Sequence, residues 1–253
     1  MTDQQLVENN FEEKINVFTR AVNGTFNSDE IFSVANTRIP TDTFNTVLIK
    51  TDKTNHLSDI RLAIEQLIKN NLPFSVWASV EHMNADWREM LQSYSLQEVE
   101  RLAMMKRKNT LSTQKKTSGQ LEITRVKNKE ELLKYVDVFL SLFAGTPEHT
   151  ALQSYFNTFH LDASVQMYIG CIDNKPVATG LLIACENSYG IYDVMIKEPF
   201  RGRGLGSDMF QFLLNQTEDK EKPIVLQASD DGKNIYRRFN FAEVGEMVVF
   251  EKD

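Results

Sequence analysis

Tyr192-Asp-Val-Met-Ile-Lys-Glu-Pro-Phe-Arg-Gly-Arg-Gly-Leu-Gly-Ser207 decides how the rest of this chain is read. Val194, Met195 and Ile196 are a short apolar run halted by Glu198-Pro199, the pattern of a strand running into a turn. Beyond it, Leu205, Met209, Phe212 and Leu213 fall on one helical face. Between strand and helix stand Gly202, Gly204 and Gly206 on alternate positions, flanked by Arg201 and Arg203. A glycine inside an element costs about 0.5–1 kcal/mol relative to alanine, so this spacing argues for backbone approach to a ligand over a plain helix start. A side-chain-free loop there points N–H groups outward under the positive end of the helix dipole. The expected ligand is an anion, a phosphate or pyrophosphate.

Spacing separates the kinds of glycine loop. No lysine follows the glycines, which excludes a Walker loop. The third glycine comes one residue early for Gly-x-Gly-x-x-Gly, and too few residues follow for the rest of a doubly wound nucleotide domain. Arg201-Gly-Arg-Gly-Leu-Gly206 resembles instead the Arg/Gln-x-x-Gly-x-Gly/Ala acetyl-CoA signature of the GCN5-related N-acetyltransferases, the GNAT superfamily. Leu226-Gln-Ala-Ser-Asp-Asp-Gly-Lys-Asn-Ile-Tyr-Arg-Arg-Phe-Asn-Phe241 is similar to that superfamily's second cofactor segment, a strand followed by a short helix bearing a tyrosine. The resemblance covers about residues 120 to 253. Asn240 departs from it, standing where the family usually has glycine; asparagine tolerates the left-handed conformation a helix C-cap needs.

Composition narrows the classes. The chain has 253 residues, 42% hydrophobic and 25% charged, as expected of one large or two ordinary globular domains. Apolar runs are far too short for a membrane span, and the polar, acidic start of the sequence carries no secretory signal. A net charge of −7 speaks against nucleic acid and favours a cationic acceptor such as an amine. Cys171 and Cys185 read as reduced core thiols, which with the missing signal points to the cytoplasm. His56, His82, His149 and His160 show no metal-ligand spacing, so no metal is expected. Trp77 and Trp87 read as core. A monomer or a homodimer fits equally.

Taken in order, Leu6, Val7, Phe11, Ile15 and Phe18 predict an amphipathic helix, followed by strands at Ile31–Ala35 and Thr46–Ile49. Ser58 is placed as the cap of a second helix, Phe74–Val80 as a strand, Asp86–Tyr94 as a helix and Glu98–Met105 as a strand. Polar residues from Asn109 to Gln120 mark a boundary, giving domains at 1–115 and 119–253. Beyond it come a strand at Leu121–Arg125, a helix opened by an Asn128/Glu131 capping box, a helix begun at Thr146-Pro147, and strands at Gln166–Ile172 and Val177–Cys185.

The halves echo each other. Val47-Leu-Ile-Lys50 answers Val194-Met-Ile-Lys197, and Ser58-Asp59 answers Ser207-Asp208. Pro73 with Ala78-Ser79 answers Pro223 with Ala228-Ser229, and Glu98-Val99 answers Glu243-Val244. Matches in register imply a duplicated strand–helix–strand–helix–strand unit. Thr51-Asp-Lys-Thr-Asn-His-Leu57 holds no glycine, so the first copy lacks a pyrophosphate site. Ile39-Pro-Thr-Asp-Thr-Phe-Asn45 and Pro73-Phe-Ser-Val-Trp77 resemble the N-terminal half of two-domain bacterial acetyltransferases.

The resemblance therefore implies an α/β fold of two tandem GNAT-like domains, each a mixed, mostly antiparallel sheet flanked by helices. It also implies acetyl transfer from acetyl-CoA directly to an amine, small molecule or peptide, in a ternary complex. Val194, Met195 and Ile196 would pair their backbone with the pantetheine arm, and Gly202, Gly204, Leu205, Gly206 and Ser207 would hold the pyrophosphate. Arg201 and Arg203 would add charge, or be solvated surface cations. Tyr236 matches the tyrosine that protonates the departing thiolate; its other reading is a helix tyrosine packed on the core. Ser229 would bond the pantetheine or cap the following helix. Asp193 is the candidate general base, with Glu186 behind it, and Asn45 a candidate contribution of the first half to the acceptor cleft. A silent acyl-CoA-binding sensor is the alternative to an enzyme.

Overall fold

The computed structural model describes residues 1–110, 119–161 and 165–252. Two compact units interleave along the sequence: the first holds Met1–Met105, Gln227–Lys233 and the chain from Glu243 on, the second Lys106–Leu226 and Asn234–Ala242. The expected boundary at 116–118 lies outside the described residues.

Helix α1 spans Asp3–Arg20 behind a true capping box, in which the Thr2 hydroxyl accepts from Gln5 N–H and the Gln5 side chain accepts from Thr2 N–H. There follow β1 (Thr25–Ser28), β2 (Phe32–Asn36), β3 (Thr46–Ile49), α2 (Leu57–Lys69), β4 (Ser75–Ser79), α3 (Ala85–Ser93) and β5 (Leu96–Arg107). Next come β6 (Glu122–Arg125), α4 (Lys129–Leu140), α5 (Glu148–Thr158), β7 (Val165–Ile172), β8 (Lys175–Ala184) and β9 (Tyr189–Ile196). The chain finishes with α6 (Leu205–Gln216), β10 (Ile224–Ala228), α7 (Asp230–Arg237) and β11 (Ala242–Lys252).

Three expectations need correcting. Ser58 does not cap α2: a tight turn at Thr54–His56 feeds straight into the helix, His56 takes the cap position without a side-chain bond to the helix's first backbone amides, and Ser58 already lies inside. At α4 the Asn128 side chain accepts from Glu131 N–H at 2.9 Å, but Glu131 reaches past the cap to Lys127 N–H at 2.7 Å, so the box is not reciprocal. Cys185 falls just beyond β8, and both thiols are half-buried rather than in the core.

In the first unit the strands run β1-β2-β3-β4-β11-β5. β3 and β4 are parallel; β11 lies antiparallel to β4 with Met247 opposite Ser79 and Phe250 opposite Val76. Alternation sorts the faces: Val47, Ile49, Val76 and Ala78 join Ile60, Ile64, Trp87 and Leu91 of α2 and α3 in one core. Trp77 points the other way, 4.6 Å from Phe11 of α1. In the second unit the order is β10-β9-β8-β7-β6, with only β9 and β10 parallel. In each unit the strands thus run in mixed directions and are flanked by helices. Among the described residues no helix is long and apolar enough to cross a membrane.

Asn45 is a staple of the first unit. Its Oδ1 accepts from Thr37 N–H and Thr37 Oγ1–H, and its Nδ2 lies 2.8–2.9 Å from the carbonyls of Ile39, Thr41 and Pro73. A side chain spent this way, and fully buried, has no capacity left for an acceptor substrate. Asn45→Ala orphans several buried groups and is expected to cost about 3 kcal/mol in urea unfolding. A loss under about 1 kcal/mol would contradict the staple.

Candidate active site

β9 delivers the chain through a single turn, Glu198–Phe200, into the glycine loop and α6. Gly202 and Gly204 sit at φ +75° and +83°, which glycine enters without steric cost. A Cβ at either would meet no atom within 4 Å, so the loop faces open space there; one at Gly206 would meet only Ile196 Cγ1, at 3.7 Å. Gly204 caps α6 with no side-chain bond, and the first helical bond runs from Asp208 N–H to Gly204 O at 3.1 Å. Among the described residues, the amides from Gly202 to Ser207 find no backbone acceptor. These are the orphan donors of a helix start, about half a positive charge in sum.

Both loop arginines are exposed and brace the loop. Arg201 Nε donates to Ile196 O at 3.0 Å; Arg203 Nη2 donates to Pro199 O at 3.2 Å, its guanidinium 5.3 Å from the Phe200 ring centre.

The strand leading to the loop is deformed. Leu181 faces Tyr192 and Thr179 faces Met195, so β9 takes one more residue than β8 between these pairs. The extra residue is accommodated by Asp193 at φ +50°, a bulge whose left-handed side-chain-bearing residue costs of order 1–3 kcal/mol. β10 pairs with β9 only at Tyr189 and Gly190, ahead of the bulge. The second edge of Val194–Ile196 therefore carries no strand among the described residues; all three residues line the cleft, and Ile196 O accepts from the Arg201 side chain. The buried Thr179 hydroxyl donates to Asp193 O at 2.8 Å, and Tyr135 Oη lies 3.4 Å from Asp193 Oδ2. Burial first, and the Asp193 carboxylate second, push the Tyr135 phenol well above the usual tyrosine range.

Tyr236 stands on α7, its ring 4.9 Å from Phe210 of α6 and 6.3 Å from Phe241. Burial pushes its phenol up. The helix closes on Asn240 at φ +63°, the left-handed turn expected of that residue, with Phe241 N–H returning to Tyr236 O at 3.2 Å. Arg107, 5% exposed, grips the same end: Nη1 donates to Phe239 O at 3.0 Å and Nη2 to Thr110 O at 2.9 Å. Nothing local in the sequence marks Arg107 for this, since its partner lies 132 residues away.

A cleft of about 590 Å³ within the second unit gathers most of the expected residues: Val194, Met195, Ile196, Arg201, Gly202, Gly204, Leu205, Gly206, Ser207 and Tyr236. Arg203 and Asp193 are not among the residues lining it. Ser229 belongs to the first unit, where its carbonyl accepts from Gly232 and Lys233 at the start of α7. Phe200, Phe210 and Arg238 also line the cleft, as do Leu142 and Ile235, two aliphatic residues exposed by 41% and 39%. Exposed aliphatics beside a cleft could have been suspected only once the turn Ser141–Phe143 after α4 and helix α7 were oriented. Glu186 is exposed in the turn before β9, at the far end of that strand from the loop. Among the described residues no three His, Cys, Asp or Glu side chains converge as a metal site would require.

Residues 135–252 match the family described as Acetyltransferase (GNAT) domain. No curated protein matches the chain. Among solved structures, a GCN5-related N-acetyltransferase from Kribbella flavida is similar at a TM-score of 0.66 and 14% identity, over 95% of each chain. A functionally unknown conserved protein from Staphylococcus epidermidis is similar at 0.66 and 19%, over 91% of this chain and 94% of its own. A GCN5-related N-acetyltransferase from Sphaerobacter thermophilus gives 0.51 and 12%, over 82% and 72%. Identities this low speak for a shared fold.

Proposed function

We propose, from the premise that residues 135–252 are a GNAT acetyltransferase domain, that the cleft beside α6 binds acetyl-CoA and that the chain passes the acetyl group directly to an amine. The observation that carries this reading is the convergence, in one cleft, of a bare amide loop, a strand edge with no strand beside it among the described residues, and a half-buried tyrosine. The residues fit the group: first-turn amides suit a diphosphate, an open β edge suits the amide-bearing arm, and Tyr236 suits a sulfur leaving group. Bound acetyl-CoA supplies an electrophilic acyl carbon and a thiolate that needs a proton.

Gly202 to Ser207 would hold the diphosphate through main-chain N–H groups, with Arg201 at the same rim. Val194–Ile196 would orient the arm. Tyr236 would give its hydroxyl proton to the leaving sulfur, and Asp193 would receive the proton of the attacking amine, through water since it does not line the cleft. Attack by a bound amine in a ternary complex needs no covalent enzyme species, and no nucleophilic side chain lines the cleft in a Ser/His/Asp arrangement.

The chain would have arisen by duplication, residues 1–115 and 119–253 being the copies. Support comes from the parallel pairs β3/β4 and β9/β10, each joined through one helix. Only the second copy keeps the loop.

The test is thiol release over a panel of small amines and peptide N-termini. Asp193→Asn is expected to lower kcat by roughly ten- to a hundredfold with CoA affinity unchanged, since asparagine keeps the left-handed backbone while losing basicity. Unchanged turnover would remove Asp193 from the mechanism. A second reading, a silent acyl-CoA-binding module, is favoured by Asp193 lying outside the cleft lining with Tyr135 against its carboxylate. CoA binding without thiol release from any acceptor would establish it.

A further inference from the structure

We propose that Thr179 is a positioning residue for the pantetheine-binding strand: its hydroxyl pins the β9 bulge and so sets where the main chain of Val194–Ile196 faces. The inference rests on the acetyl-CoA reading above. Thr179 is wholly buried in the middle of β8, and its Oγ1 donates to Asp193 O at 2.8 Å. Nothing in the packing asks for a hydroxyl, because valine has the same branched shape and suits a buried strand at least as well. What asks for it is the carbonyl of a left-handed residue, which the bulge has removed from the ladder. Removing the Thr179 hydroxyl takes a hydrogen bond from that carbonyl, and the extra residue can relax toward a regular ladder.

The neighbouring residue does the matching task on the opposite face. A Cβ on Gly180 would stand 2.7 Å from Leu213 Cδ1 and 3.0 Å from Met209 Sδ, so α6 lies directly on β8 at this point. Successive strand residues face opposite sides. Two adjacent positions of β8 thus register the two halves of the cofactor site: Gly180 seats the helix whose first turn forms the loop, and Thr179 fixes the strand edge that leads to it. A regular β9 would leave the loop in place and turn the arm's hydrogen-bonding partners away.

The measurement is calorimetric binding of two ligands to the full chain: coenzyme A, and ADP bearing a 3′-phosphate, which keeps the diphosphate and lacks the arm. Thr179→Val is expected to weaken coenzyme A about tenfold, the equivalent of one lost hydrogen bond, and to leave the nucleotide within about twofold. Thr179→Ser restores coenzyme A binding. Should the valine variant not fold, Thr179→Cys, a weak donor of similar volume, gives an intermediate loss with the same split. Equal weakening of both ligands, or of neither, overturns the pin while the cofactor reading stands. If the unaltered protein binds neither ligand, the cofactor reading fails and the pin with it.

Discussion

Replacing Gly202 and Gly204 together by valine is expected to weaken coenzyme A binding by about a thousandfold while both units stay folded. The two residues sit at φ +75° and +83°, where a β-branched side chain is strongly disfavoured, so the loop must reshape. Neither position packs against anything, which means that the fold does not depend on the bare backbone there. Reshaping turns away the amides that precede α6. A hydrogen bond to a charged group contributes about 1.5–3 kcal/mol, so losing two costs about 4 kcal/mol, or three decades in Kd. ADP bearing a 3′-phosphate should lose the same factor, since the diphosphate is what the loop holds. Gly206→Ala is the internal control: its Cβ would make ordinary contact with Ile196 Cγ1 at 3.7 Å, and the change should be nearly silent. Calorimetry decides, with circular dichroism as the check on folding. An affinity within about threefold of the starting value for the valine pair would remove the loop from the cofactor site.

Tyr236→Phe should lower kcat by roughly a hundred- to a thousandfold and leave coenzyme A affinity where it was. The ring packs on Phe210 and Phe241, and phenylalanine keeps those contacts, so the substitution deletes a proton donor and little else. The pH profile provides a second readout. Burial raises the folded-state pKa of this phenol above its unfolded value near 10, so the neutral, proton-donating form persists through the whole working range. A general acid is active while protonated; Tyr236 therefore contributes no falling limb until pH passes its raised pKa, above about 10. The stability linkage has the same sign: the contribution is fully present below the unfolded pKa and is lost as pH rises through the folded one. An alkaline limb centred below pH ~9 that disappears in Tyr236→Phe would contradict the assignment of Tyr236 as an acid with a raised pKa.

How much of this was legible in the sequence depends on whether a feature is local. The glycine loop announces itself because residues at positive φ beside a ligand must be glycine, and no packing demand competes for Gly202 and Gly204. Tyr236 and Asn240 are legible for a similar reason: helix, C-cap and apolar return lie within a few residues. The bulge is not. Asp193 adopts a left-handed conformation through its partners on β8 and α4, and nothing in Tyr-Asp-Val announces that. Strand β1 is invisible because its four residues are mostly exposed and show no alternation. Asn45, a candidate for the acceptor cleft by resemblance, turns out to spend its carboxamide on five groups of its own unit. The cleft's aliphatic rim, Leu142 and Ile235, comes from elements far apart in sequence and emerges only when they are brought together.

Strand β11 sits between β4 and β5, yet more than a hundred residues of chain separate it from both. During synthesis the early half of this protein must wait on the ribosome with a gap in its sheet, its Val76 and Ala78 without the neighbours Val248 and Phe250. Closing that gap is a long-range, entropically slow event, so the half translated first is the half completed last. A nascent chain arrested before Glu243 should therefore recruit chaperones through its early half.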